Sequence, residues 1–287
     1  MRTYEELKQQ LIQIKDNNYV ISSEINVDGL IADMLKFIGH SDAELRDELI
    51  YSTISTLTEN MTFSTTQVKH ILTTCLGEGH LFFNIGEKDT DSVFTRAFSS
   101  LPISVALWFN QNKTPFLTAD ELTHIMDTVL RYTKQEKDYR GYVDGKGWAH
   151  AIAHIADALG HLAEASKTVD GEGEFSLGRD GLLEILDAVK SMICSDYMYT
   201  AEEDERLAVP VMDVIYREVL TNEELIEWID GFNMTDTAWR RSSYPGSYYR
   251  YINCKHFMRS LYFKLLSDGD YDVLCKYMLG FLVESEG

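Results

Sequence analysis

The stretch "SDAELRDELIYSTISTLTE" (Ser41–Glu59) decides how the rest of the chain is read. Its apolar residues Leu45, Leu49, Ile50, Ile54 and Leu57 recur at three-to-four spacing. That spacing lines one face of a helix, whereas a half-buried strand alternates at every second residue. Ser41 stands three residues before Glu44. In such a capping box the hydroxyl accepts from a free backbone N–H and the acid reaches back, so the pair starts a helix.

Outward from this segment the same marks repeat. Thr3–Glu6, Ser64–Gln67, Thr118–Glu121, Thr200–Glu203 and Thr221–Glu224 each precede an apolar run. Thr56–Glu59 and Thr133–Glu136 also match but fall late in helical runs. Leu182, Ile185, Leu186 and Val189 repeat the spacing in the second half, and the chain has only four prolines. Together these predict roughly a dozen helices with short links, an all-α fold. Antiparallel helix pairs stacked as a HEAT-like α-α superhelix suit this length, although no clean period of about 40 residues is present.

The 287 residues are read as a single elongated helical domain (1–287). It subdivides into 1–166 and 182–287 around the Gly-rich loop "KTVDGEGEFSLGRDG" (167–181). Asp170, Glu172 and Glu174 alternate there, but a calcium-binding EF-hand loop needs Gly at its sixth position and Glu at its twelfth. This chain has Phe175 and Gly181 instead, so that reading is rejected.

The balance of 26 Lys+Arg against 46 Asp+Glu gives a formal charge of −20. Such a field repels phosphate backbones and anionic lipid, which argues against nucleic acid and membrane partners. The N-terminal "MRTYEELKQQLIQIKDNNY" lacks the apolar run and cleavage site of a signal peptide. The longest apolar-leaning stretch, "AFSSLPISVALWF" (Ala97–Phe109), falls short of the ~20 residues a membrane-spanning helix needs and reads as a core helix. Cys75, Cys194, Cys254 and Cys275 are scattered without metal-binding spacing, as expected of reduced thiols in a cytoplasmic protein.

The stretch richest in chemistry is "RGYVDGKGWAHAIAHIADALGH" (Arg140–His161). Asp144-Gly145 and Lys146-Gly147 mark a tight turn. A helix begun at Trp148 places His150, His154, Asp157 and His161 within roughly 60° of one another. Ile152, Ile155, Leu159 and Leu162 then lie opposite, with alanines between. His150 and His154, one turn apart, could share a divalent metal with Asp157 as an oxygen ligand, the one cofactor this set could take. The same residues, with Trp148, Lys146 and Arg140, could instead hold a ligand without metal, or serve a helix–helix contact. Arg140 has a structural alternative, pairing with Asp138 or Asp144 to fix the turn.

Other polar candidates are Asp47, one turn from Tyr51 and beside Arg46, and Arg96 and Arg259, each within an otherwise apolar helix. Asp47, Arg96, Arg140, His150, His154 and Arg259 would converge on one groove if the helices stack in register. The segment Trp239–Lys264 carries six Lys/Arg, five tyrosines and no acid. Basic groups among aromatics can bind single-stranded nucleic acid, but here they are expected to pair with the chain's own acidic helices.

"RGYVDGKGWAHAIAHIAD", with "SDAELRDELIY", "VFTRAFSSLPISVALW" and "DERL", resembles an uncharacterised bacterial family known only by a domain-of-unknown-function label. The resemblance implies a helical, HEAT-like fold in a bacterial protein without an assigned activity. Some relatives have been labelled membrane-spanning, which the run lengths above contradict. The resemblance carries no site residues. Two function classes emerge: a binding scaffold for a protein, peptide or small anionic ligand, and a metal-dependent hydrolase using His150, His154 and Asp157. Neither a nucleophile elbow nor a phosphate loop is present.

Overall fold

A computed structural model describes residues 2–169, 175–232 and 244–285. Among these the chain is all-α, with twelve α-helices and one small hairpin. Within each unit the helices pack on one another through their buried apolar faces. The chain forms two compact units, Met1–Ala158 with Ala165–Phe175, and Leu159–Glu164 with Ser176–Gly287.

In the first unit, α1 (Tyr4–Asp16) and α2 (Val27–Phe37) precede a π-helical segment, Glu44–Tyr51, which runs directly into α3 (Ser52–Glu59). α4 (Thr65–Cys75), α5 (Ser92–Asn112) and α6 (Ala119–Gln135) come next. The hairpin of β1 (Tyr142–Val143) and β2 (Gly147–Trp148) then leads into α7 (Ala151–Glu164). The capping boxes at Thr3–Glu6, Ser64–Gln67 and Thr118–Glu121 all form, each with both reciprocal hydrogen bonds. Ser41–Glu44 does not, because the neighbouring Asp42 takes the role: its Oδ1 accepts from Leu45 N at 3.2 Å.

α5 is the core of this unit, packed against α3, α4 and the π-helical segment. Its 21 residues are long and apolar enough to cross a membrane by length and composition, and 89% of its most apolar window is buried in the fold. The sequence reading stopped this run at Ala97–Phe109; the helix is longer, and burial rather than length is what identifies it as a core element. Asn110 closes its C-terminal end, accepting from Phe116 N and Leu117 N at 2.8 and 2.9 Å and donating to Lys167 O at 2.8 Å.

In the second unit, α9 (Glu203–Tyr216) packs between α8 (Arg179–Ile193) and α11 (Gly246–Asp268). α12 (Asp272–Ser285) packs on α11 and on α10 (Asn222–Asp230). The Thr221–Glu224 box forms. α9 starts two residues later than a Thr200 cap would set it, after Glu202 in a left-handed conformation, and Glu203 accepts from Ala201 N at 2.8 Å. Of the basic aromatic segment, residues 239–243 lie outside the described residues, as do Asp170, Glu172 and Glu174 of the Gly-rich loop. Two of its remaining cations pair with the chain's own acids, Arg250 with Asp196 at 2.7 Å and Lys264 with Glu205 at 2.8 Å.

Candidate functional site

The hairpin before α7 is built by two glycines and one buried arginine. Gly145 and Gly147 have φ of +73° and +79°, values that cost a side-chain-bearing residue energy. At Gly147 a Cβ would also sit 2.7 Å from the Ala43 Cβ, so the turn can lie on the π-helical segment only without one. From that segment Arg46 reaches into the turn. Its Nη2 donates to the carbonyls of Lys146 and Trp148 at 2.7 and 3.0 Å, and its Nη1 to His40 O at 2.7 Å. The guanidinium lies over Phe94 and Phe98, 4.2 and 4.6 Å from their centroids.

Arg46 is 0% exposed, and its Nε has no acceptor among the described residues. Burial lowers its pKa to about 10, against the opposing charges of Asp47, Asp42 and Asp91. A cation held by carbonyl dipoles and ring faces therefore anchors the turn from beneath.

α7 begins at Ala151, three residues after the start expected from sequence. The hairpin holds the preceding backbone: Ala149 N donates to Gly141 O at 2.8 Å and His150 N to Arg140 O at 3.1 Å. His150 is thereby fixed at φ +51°, a left-handed conformation uncommon for a residue with a side chain. Its ring stacks on Trp148, with centroids 4.3 Å apart and planes at 19°. Tyr142 meets Trp148 edge-on at 5.1 Å.

Inward, His154 stands edge-on to His150 at 5.8 Å and to Phe98 at 5.1 Å, with Nδ1 3.2 Å from Ala97 O. Tyr142, Trp148, His150, His154 and Phe98 thus form a continuous ladder of rings. It runs from Trp148, 38% exposed, to His154, 7% exposed, and ends under the Arg46 guanidinium.

The other candidates are placed differently. Arg140 donates to both oxygens of buried Asp138, Nε to Oδ1 at 2.8 Å and Nη2 to Oδ2 at 2.7 Å, and to Thr90 O at 2.6 Å. This is the turn-fixing alternative seen in the sequence. Lys146 Nζ straddles Asp91 at 2.7 and 2.8 Å.

Arg96 is 0% exposed and faces Glu136, Nε to Oε2 at 2.6 Å and Nη2 to Oε1 at 2.9 Å. Its Nη1 donates to Ser92 Oγ at 2.8 Å and Phe83 O at 3.1 Å. Burial works against this cation, but the hydrogen bonds and charge of Glu136 outweigh it and raise the Arg96 pKa. Tyr132 also donates to Glu136, which accepts from Asp138 N as well, so Arg96 and Arg140 belong to one structural network away from the ring ladder.

Asp47 is half-buried on the π-helical segment, where burial pushes its carboxyl up against the pull of Arg46. Asp157 and His161 are half-buried on α7. Arg259 lies on α11 of the second unit. Among the described residues no three His, Cys, Asp or Glu side chains are gathered as a metal ion requires, so the set His150, His154 and Asp157 is not brought together as a ligand shell.

Arg46 and Phe98 complete the ladder and were not among the candidates taken from the sequence. Arg46 was visible only as a neighbour of Asp47, because its acceptors lie up to 102 residues away and are backbone carbonyls, which leave no mark in a sequence.

The chain matches no curated protein and no solved structure. A family model described as "Protein of unknown function (DUF2785)" matches residues 81–263, which include the hairpin and all of α7. With more than half of its length matched, the chain belongs to the DUF2785 family.

Proposed function

We propose that this chain is a recognition protein whose ring ladder, presented at Tyr142, Trp148 and His150, binds a peptide of net positive charge. One observation carries the reading: His150 holds a strained backbone conformation while its ring supports a Trp148 that remains 38% exposed. Strain of this kind costs on the order of 1–3 kcal/mol and persists where the surroundings over-determine it, most often at ligand-binding or active sites. A tryptophan face backed by a second ring suits arginine, lysine or aromatic side chains.

The charge pattern turns the ligand from anionic to cationic. Arg140 and Lys146, the two cations beside the turn, are each closed by an aspartate. The net charge of −20 draws basic partners in and repels acidic ones. Stacked helices of HEAT type present surfaces suited to such recognition, and four free cysteines support a cytoplasmic setting.

The test is panning of a random dodecapeptide library, displayed on phage, against the full chain and against Trp148→Ala. Enrichment of Lys/Arg-rich sequences on the full chain, lost on Trp148→Ala, is the expected result. No enrichment, or equal enrichment on both proteins, would overturn the reading.

A further inference from the structure

We propose that Cys194 and Cys254 form a redox-active dithiol that a hydroperoxide closes to a disulfide. Cys194 stands just past the last turn of α8 and Cys254 lies within α11, 60 residues on, yet their sulfurs stand 3.7 Å apart. Bond formation needs an approach of about 1.7 Å, within reach of side-chain rotation when both backbones are held.

Those backbones are held. Asn253 Nδ2 donates to Tyr197 O at 2.7 Å and its Oδ1 accepts from Tyr199 N at 3.1 Å, tying the chain after Cys194 to the residue beside Cys254. Tyr199 Oη donates to Met192 O at 2.7 Å, closing the same loop onto α8, and Arg250 pairs with Asp196 at 2.7 Å.

The two thiols are unequal. Cys254 is buried, whereas Cys194 is half-buried and the nearer of the two to solvent. The S–H of Cys254 favours the Cys194 thiolate, and the charges of Arg250 and Lys190 act in the same direction, so its pKa is lowered despite burial. Burial pushes the thiols of Cys75 and Cys275 up. The thiolate is the nucleophile, so Cys194 is the first to react.

Its sulfur attacks one peroxide oxygen; the O–O bond breaks, an alcohol or water leaves with the proton, and Cys194 becomes a sulfenic acid. The Cys254 sulfur then attacks that sulfur. The S–O bond breaks, and water leaves carrying the Cys254 proton. Two thiols lose two electrons and two protons, and the hydroperoxide takes up both.

The test uses the reduced full chain treated with hydrogen peroxide, then denaturing alkylation and mass mapping of unreduced peptides. Two of the four thiols should disappear at least tenfold faster than the others. They should be recovered as one Cys194–Cys254 linked peptide and restored by dithiothreitol. In Cys254→Ser the reaction should stop at a Cys194 sulfenic acid that dimedone traps. Equal loss of all four thiols, or a linked peptide that joins other cysteines, would overturn the proposal. The wild-type map decides it even if the serine variant does not fold.

Discussion

Arg46 and Arg96 are both shut off from solvent within the same unit, yet they are satisfied in opposite ways. Arg96 meets a buried carboxylate through two donors, with carbonyls and a serine hydroxyl completing its shell. Arg46 is held by three carbonyls and two phenyl faces, and one donor is left over among the described residues. The first arrangement joins α5 to the end of α6 and, through Asp138, ties in Arg140. The second underlies an exposed tryptophan. A charge paired in full serves the fold, and one held by dipoles serves to position a loop.

The largest effect is expected where the paired centre is broken from its acidic side. Glu136→Gln leaves Arg96 buried without a countercharge and should cost about 3–5 kcal/mol, read by guanidinium unfolding. Arg96→Met with Glu136→Leu should recover part of that loss, since the charge leaves with its partner while Tyr132 Oη, Asp138 N and the carbonyls around Arg96 lose theirs. Arg46→Met removes a charge that carbonyl dipoles hold in place of a carboxylate. It should cost about 2–3 kcal/mol, from carbonyls left without donors, and should also shift Trp148 emission. Equal costs for Glu136→Gln and Arg46→Met, with Trp148 emission unmoved, would erase the distinction between the two arginines.

An acid in the second unit offers a mirror of Arg46. Asp213, on α9, has its pKa raised to about 7 by burial and then by Glu164, with His161 pulling the other way. The folded state therefore holds this proton more tightly than the unfolded chain. Stability should fall as pH rises from the ordinary carboxylate range through about 7. Asp213→Asn should remove that decline and stabilise the protein at pH 8 by roughly 1–2 kcal/mol, allowing for partial solvent contact. Parallel unfolding curves for both proteins between pH 5 and 8 check it. A wild-type curve that does not fall relative to the variant refutes it.

The smallest change in stability is expected at the strained residue above Arg46. His150→Gly relieves the positive φ but loses the stack on Trp148, so unfolding should shift by less than about 1 kcal/mol. Peptide enrichment should nevertheless drop to the level of Trp148→Ala. A variant that binds undiminished would confine His150 to a structural role.

The fold was legible because its signals are local. Thr3, Ser64, Thr118 and Thr221 cap helices three residues before the acid or amide that answers them. The Ser41 box lost to equally local competition from Asp42, and the left-handed Glu202 moved the start of α9 past Thr200. The site was legible in part. The rings of Trp148, His150 and His154 stand together, though not on the single helical stripe their spacing predicted, and Arg140 pairs with Asp138, one of its two alternatives. What periodicity could not show is that His150 lies outside the helix, because hairpin hydrogen bonds decide where α7 starts. Nor could it show Glu136 behind Arg96, 40 residues away, or Cys254 beside Cys194.

The π-helical turns at Glu44–Tyr51 bear on how this gene can vary. Such turns are wider than α-helical ones and accommodate an extra residue. Removing one residue there would let the segment close to an ordinary helix, where the same loss inside α5 would turn buried side chains out of the core. α3 downstream would then keep its register, while the winding around Arg46 changes and its reach to the turn is lost. Among descendants of this sequence, a chain shortened by one residue at this place should keep the fold and give up the anchored turn.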